Sequence, residues 1–133
     1  MTSEPVERTV CELIEESHQT ALDHGWWGQD GTGDRPILEQ LMLMVTELAE
    51  AAEEYRSGRG LGEVYYDTNR AVNTPEGVAL FKPEGFLAEL ADVYIRIGDT
   101  IGRYGLTAQF EQVLADKLKY NKYRPFRHGG KQA

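Results

Sequence analysis

Apolar residues recur at helical spacing along four stretches of this 133-residue chain, separated by segments punctuated with glycine and proline. The first stretch predicts a helix from about Glu4 to His24. Val6, Val10, Leu13, Ile14, Ser17 and Ala21 share one face, Ser3 is a cap, Pro5 falls in the first turn and Gly25 is the stop. A loop from Gly25 to Gly33 carries Trp26 and Trp27 and leads to Asp34, the expected N-cap of a second helix with Pro36 in its first turn. That helix, about Arg35 to Ser57, repeats Leu38, Leu41, Val45, Leu48, Ala52 and Tyr55 in steps of three and four, the pattern of a bundle seam. Leu43, Glu47, Glu50 and Glu54 form the stripe beside it. A third helix, about Pro83 to Tyr104, is apolar around most of its circumference, and its charges Glu89, Asp92, Arg96, Asp99 and Arg103 share one narrow stripe. A fourth begins at Thr107, carries Phe110, Val113, Leu114 and Leu118, and ends before Pro125.

The segment from Gly58 to about Pro83 is too long for an ordinary helix–helix connection. Two short extended stretches, Glu63–Asp67 and Gly77–Phe81, can pair as a small hairpin across the Asn69–Pro75 region. The expected fold class is therefore all-α: a single domain over residues 1–133, a four-helix bundle-like protomer with one long loop, and a basic segment at 120–133. A loop of that length is usually a lid, a binding loop or an oligomer contact.

The polar positions that interrupt these apolar runs carry the candidate chemistry. Glu47-Leu-Ala-Glu50 and Glu89-Leu-Ala-Asp92 each place two carboxylates three residues apart, hence on one helix face with Cβ atoms roughly 5–6 Å apart. If the two helices pack together, four carboxylates converge. At about 4 Å and an effective dielectric near 20, each like-charged pair costs on the order of 4 kcal/mol. A bound cation relieves that cost, and hard oxygen ligands suit Mg²⁺ or Mn²⁺. The bland reading of the same residues is a solvated face laced with salt bridges. Glu53, Glu54 and Asp99 are supporting candidates. Di-iron chemistry needs two Glu-x-x-His motifs, and the chain has one, ending at His18, so iron is not expected.

Composition narrows the classes. With 41% hydrophobic residues and no apolar run near 18 long, the chain reads as soluble. The N-terminus lacks the pattern of a secretory signal, and a single cysteine, Cys11, fits a reducing cytoplasm. A net charge of −8 argues against binding nucleic-acid polymers or anionic membranes. The charge is uneven: after Asp116 there are six bases and no acids, so the first 116 residues hold 22 acids against 8 bases. Within that basic end, Lys117, Asn121 and Arg124 fall on one helical face, a grouping that can grip phosphate oxygens or, more simply, complement the helix C-terminus.

Taken with Lys82-Pro-Glu-Gly85 and the segment from Tyr120 to Lys131, which contains Asn121-Lys-Tyr-Arg-Pro-Phe-Arg-His-Gly-Gly, the acidic pairs resemble those of the MazG-like nucleoside triphosphate pyrophosphohydrolases, the all-α NTP pyrophosphatase superfamily. The likeness runs from the first helix, through His24-Gly-Trp-Trp27, to the C-terminus. It implies a helical protomer that forms homodimers or homotetramers. It also implies Mg²⁺-dependent cleavage of a nucleoside triphosphate to monophosphate and pyrophosphate. Glu47, Glu50, Glu89 and Asp92 would then be metal ligands, and Lys117, Asn121 and Arg124 phosphate and nucleotide contacts. Glu50 is the preferred carboxylate for activating water. Trp26 and Trp27 either stack on the base or plug the end of the bundle. The 58–82 insertion departs from compact members and leaves specificity and oligomer geometry open. A dimeric deoxyuridine triphosphatase of the same superfamily and a non-catalytic helical interaction module are the alternatives.

Overall fold

A computed structural model describes residues 7–127 and 132. In chain order it has α1 (Val10–Asp23), α2 (Ile37–Arg56), β1 (Tyr65–Asn73), β2 (Ala79–Glu84), α3 (Phe86–Arg103) and α4 (Thr107–Tyr123). Among the described residues, four helices and a two-stranded antiparallel sheet make up the fold.

α1 starts later than the apolar spacing suggested. Thr9 is extended and closes a capping box: its hydroxyl accepts from the Glu12 N–H at 3.1 Å, and the Glu12 carboxylate accepts from the Thr9 N–H at 3.3 Å. Residues 7–9 are therefore outside the helix, and Ser3, Pro5 and Val6 lie outside the described residues. Asp34 is not the cap of α2. Its carboxylate accepts from the adjacent Arg35 N–H, and Pro36 holds the N-cap position with no side-chain cap.

The hairpin forms, but it is longer than the expected strands. Tyr65, Tyr66 and Asp67 pair with Glu84, Pro83 and Lys82; after a bulge, Ala71, Val72 and Asn73 pair with Phe81, Leu80 and Ala79. Because Lys82–Glu84 belong to β2, α3 begins at Phe86 and not at Pro83. A two-stranded sheet has only edges, so a proline there costs no interior ladder bond. Gly85 makes the corner: its φ is 122°, and a Cβ at this position would sit 2.5 Å from the Glu63 carbonyl oxygen.

α3 packs on both α1 and α2, while α4 touches only α1 and α3. Gly98 and Gly102, one turn apart, let α1 approach closely; added Cβ atoms would lie 3.1 Å from Ser17 and 2.7 Å from the His18 Cβ. The buried apolar side chains among the described residues are few: Ile14, Ala21, Trp27 and Ala51.

The expected seam of α2 is not the face that this chain buries. α2 turns Gln40, Glu47 and Ala51 inward. Leu38, Leu41, Val45, Leu48 and Tyr55 are between 47% and 72% exposed. α2 carries two usable faces, and the acid-bearing one packs on α3. The whole chain exposes 10,339 Å², against about 7,000 Å² for an ordinary folded monomer of 15.0 kDa. Among the described residues, no helix is long and apolar enough to cross a membrane.

Candidate metal centre

Packing of α2 on α3 brings the two acidic pairs together. Carboxylate oxygens of Glu47, Glu50 and Glu89 all lie within 4.8 Å of one another. Glu47 and Glu89 are buried and Glu50 is exposed, so the group has two sunken carboxylates and one at the surface. Asp92, one turn beyond Glu89, stands beside this trio and not within it. It lines a neighbouring cavity with Glu47, and burial and then the Glu47 charge raise its pKa, against the opposing pull of Arg96 and Lys82.

The electrostatics of the cluster are unequal. Burial pushes the Glu89 carboxyl up most, its close contacts with Glu50 and Glu47 add to this, and it titrates at about 8. Burial also works against ionisation of Glu47. There the Arg96 guanidinium, whose Nε donates to Glu47 Oε1 at 2.8 Å, and the Glu89 carboxyl outweigh it and lower the pKa. Glu47 is thus held as the anion while Glu89 keeps a proton. Glu89 Oε2 is buried without a hydrogen-bond partner, an oxygen available to a cation that displaces the proton. Three converging carboxylates with an orphaned buried oxygen fit a hard divalent ion such as Mg²⁺ or Mn²⁺.

The cluster lies between two cavities. One, of about 240 Å³, is bordered by Glu47, Asp92, Arg96 and Asp99 on one side and Ser17, Thr20, Trp26 and Arg35 on the other. The other, of about 580 Å³, opens toward the hairpin and includes Glu50 and Glu89 in its wall.

The two tryptophans part company. Trp26 is 62% exposed at the rim of the smaller cavity, with the Arg35 guanidinium 5.9 Å from its ring. Trp27, expected with it as a substrate contact, is fully buried. Its Nε1 donates to Asp99 Oδ1 at 2.9 Å, and Arg103 lies over its ring at 4.5 Å. Arg103 also donates to the Gly31 and Gly33 carbonyls, pinning the loop to α3. His18 Nδ1 meets the same Asp99 oxygen at 2.8 Å, so the lone Glu-x-x-His motif serves packing.

Lys117, Asn121 and Arg124 are not brought to the acids within one chain. Lys117 and Asn121 lie on α4 and Arg124 is its C-cap, and α4 has no packing contact with α2. Arg124 borders a separate depression with Asp116, Lys119, Tyr120 and Tyr123, and Lys117 lies near the Tyr120 ring. His128–Lys131 fall outside the described residues. The sequence reading missed Arg96 as the group that holds Glu47. The signal was present: a cation four residues after Asp92, set between the acids Asp92 and Asp99 on the charged stripe. Arg35, Arg59 and Arg70 carried no such local signal.

No protein-family model, curated protein or solved structure matches this chain.

Proposed function

We propose that this protein is a Mg²⁺-dependent nucleoside triphosphate pyrophosphohydrolase, cleaving its substrate between the α- and β-phosphates. The observation that carries the reading is the carboxylate trio with its orphaned Glu89 oxygen, set between two cavities. Glu47, Glu50 and Glu89, with Asp92 alongside, would hold the ion. Bound there, Mg²⁺ supplies charge neutralisation and Lewis-acid polarisation of phosphate oxygens.

The chain's own residues do the rest. Arg96 fixes Glu47 in its ionised form. Trp26, exposed beside Arg35, offers a flat apolar face on which a base stacks, and Ser17 and Thr20 bring hydroxyls to the same cavity. Glu50, the most exposed of the trio, orients the attacking water and accepts its proton. The water oxygen bonds to the α-phosphorus, the bond from that phosphorus to the bridging oxygen breaks, and pyrophosphate departs with the electron pair.

The working unit in this proposal is a homo-oligomer in a reducing cytoplasm. The seam of α2 has coiled-coil spacing, and its Leu38, Leu41, Val45, Leu48 and Tyr55 are about half exposed or more among the described residues. A second copy is also the available source of a Lys117–Arg124 face for the acids.

The test is incubation with each ribo- and deoxyribonucleoside triphosphate plus Mg²⁺ in ¹⁸O-water. Pyrophosphate release with label in the nucleoside monophosphate is expected. Orthophosphate as the sole product, or no turnover of any triphosphate, sinks the proposal, and turnover confined to dUTP and dUDP assigns the narrower deoxyuridine triphosphatase reading.

A further inference from the structure

The larger cavity beside the acids is walled by the hairpin, and its chemistry differs from that of the Trp26 side. Side chains alternate across a strand, and the pairs Tyr65 with Glu84 and Asp67 with Lys82 put these four residues on one face of the sheet. That face lines the cavity opposite Glu50 and Glu89, together with Arg59 and Arg70. The Tyr65 hydroxyl donates to Glu54 Oε1 at 2.7 Å, so the face is tied to α2 and does not hang free.

Of the outer acids of this cavity, Glu54, Asp67 and Glu84 hold its cations, and Glu53 pairs with Arg56. Arg59 pairs with Glu54 at 3.5 Å and Glu63 at 3.0 Å and lies 3.9 Å over the Tyr65 ring. Lys82 pairs with Glu84 at 3.1 Å and Arg70 with Asp67 at 3.7 Å. Such pairing restrains long side chains without using all their donors, since Arg has five N–H groups and Lys three. On the Trp26 side the cations are differently occupied: Arg96 is bonded to Glu47 and Arg35 lies against the tryptophans.

We propose that the β1–β2 hairpin forms the pyrophosphate subsite, with Lys82, Arg70 and Arg59 gripping the β- and γ-phosphates while the nucleoside occupies the Trp26 cavity. This rests on the pyrophosphohydrolase reading and gives the substrate a direction through it. With the α-phosphorus at the carboxylates, the chain of phosphates extends toward the three cations, and the leaving group is the part that the hairpin holds. The insertion is then part of the active site, and Gly85 is its rigid hinge-post, fixing β2 against the start of α3.

The experiment measures calorimetric binding of inorganic pyrophosphate and, separately, of a nucleoside monophosphate, both with Mg²⁺, to the full chain and to Lys82→Ala/Arg70→Ala. Both positions are well exposed, and circular dichroism checks that the variant is folded. Pyrophosphate affinity is expected to fall at least tenfold and monophosphate affinity to stay within twofold, with Lys82→Arg retaining most of the binding. Equal pyrophosphate affinity in wild type and double variant overturns the subsite, as does a wild type that binds no pyrophosphate. The two ideas fail separately. A wild type that binds pyrophosphate through these residues yet hydrolyses no triphosphate keeps the subsite and removes the enzyme. A wild type that hydrolyses triphosphates while the double variant binds pyrophosphate unchanged removes the subsite alone.

Discussion

Glu89 is the residue whose chemistry most sharply tests the metal centre. Its folded-state pKa of about 8 lies above the ordinary 4.5, chiefly through burial. In the ion-free protein the folded state keeps a proton that the unfolded chain has lost between those values. Its contribution to stability is therefore complete below pH 4.5, declines as pH rises toward 8, and is gone above it. Glu47, shifted the other way, acts only as pH falls below 4.5 and leaves that window undisturbed. In chelator, the wild-type melting temperature is expected to fall from pH 6 to pH 8.5, and that of Glu89→Gln to stay nearly level. Mg²⁺ should restore the wild type at pH 8.5 and do nothing for the variant. A parallel pH dependence in both proteins would count against the cluster. Glu50→Gln and Asp92→Asn address function and not fold: each should cut turnover at least a hundredfold while moving the melting temperature in chelator only slightly. Unchanged Mg²⁺ affinity and melting temperature in both variants, with no turnover in the wild type, would favour the interaction-module reading. The acids were legible in the sequence because i, i+3 spacing is a local property of a helix. Trp26 and Trp27 were not separable, because two adjacent identical residues in a glycine-rich loop look alike until Asp99 and Arg103 of α3 select one.

At the scale of elements, helix existence followed from apolar periodicity, and boundaries followed from local hydrogen bonds that periodicity does not contain. The Thr9–Glu12 capping box sets the start of α1, and β-pairing of Lys82–Glu84 delays α3 to Phe86. The α1–α3 contact depends on two glycines that read as ordinary helix interior. Gly102→Ala must displace His18, whose Cβ would lie 2.7 Å from the added methyl, and through it the bond to Asp99. A loss of about 1–3 kcal/mol is expected from a denaturant titration. Gly58→Ala, with open space around it but φ of 90°, is a control for backbone strain without a clash.

At the scale of the whole molecule, the apolar seam of α2 is the largest feature that the described residues leave mostly exposed. Among the described residues only four apolar side chains are buried, the other packed apolar positions being half-buried, and covering the seam of α2 in an assembly would add a row of Leu and Val. Light scattering is expected to report a homo-oligomer for the wild type. Leu41→Asp/Leu48→Asp should give a monomer, or a species that melts at least 10 °C lower, because each buried carboxylate would sit in an apolar seam. A monomeric wild type with an unchanged double variant would refute self-association.

Sequence alone determined the helices, the hairpin's presence and the two acidic pairs, since each is written in spacing over a few residues. Only tertiary structure decided which face of α2 turns inward, which tryptophan is buried, that Arg96 clamps Glu47, and that the hairpin's cations meet the acids. Periodicity says that a face is apolar or charged; what covers that face depends on residues far away in the chain.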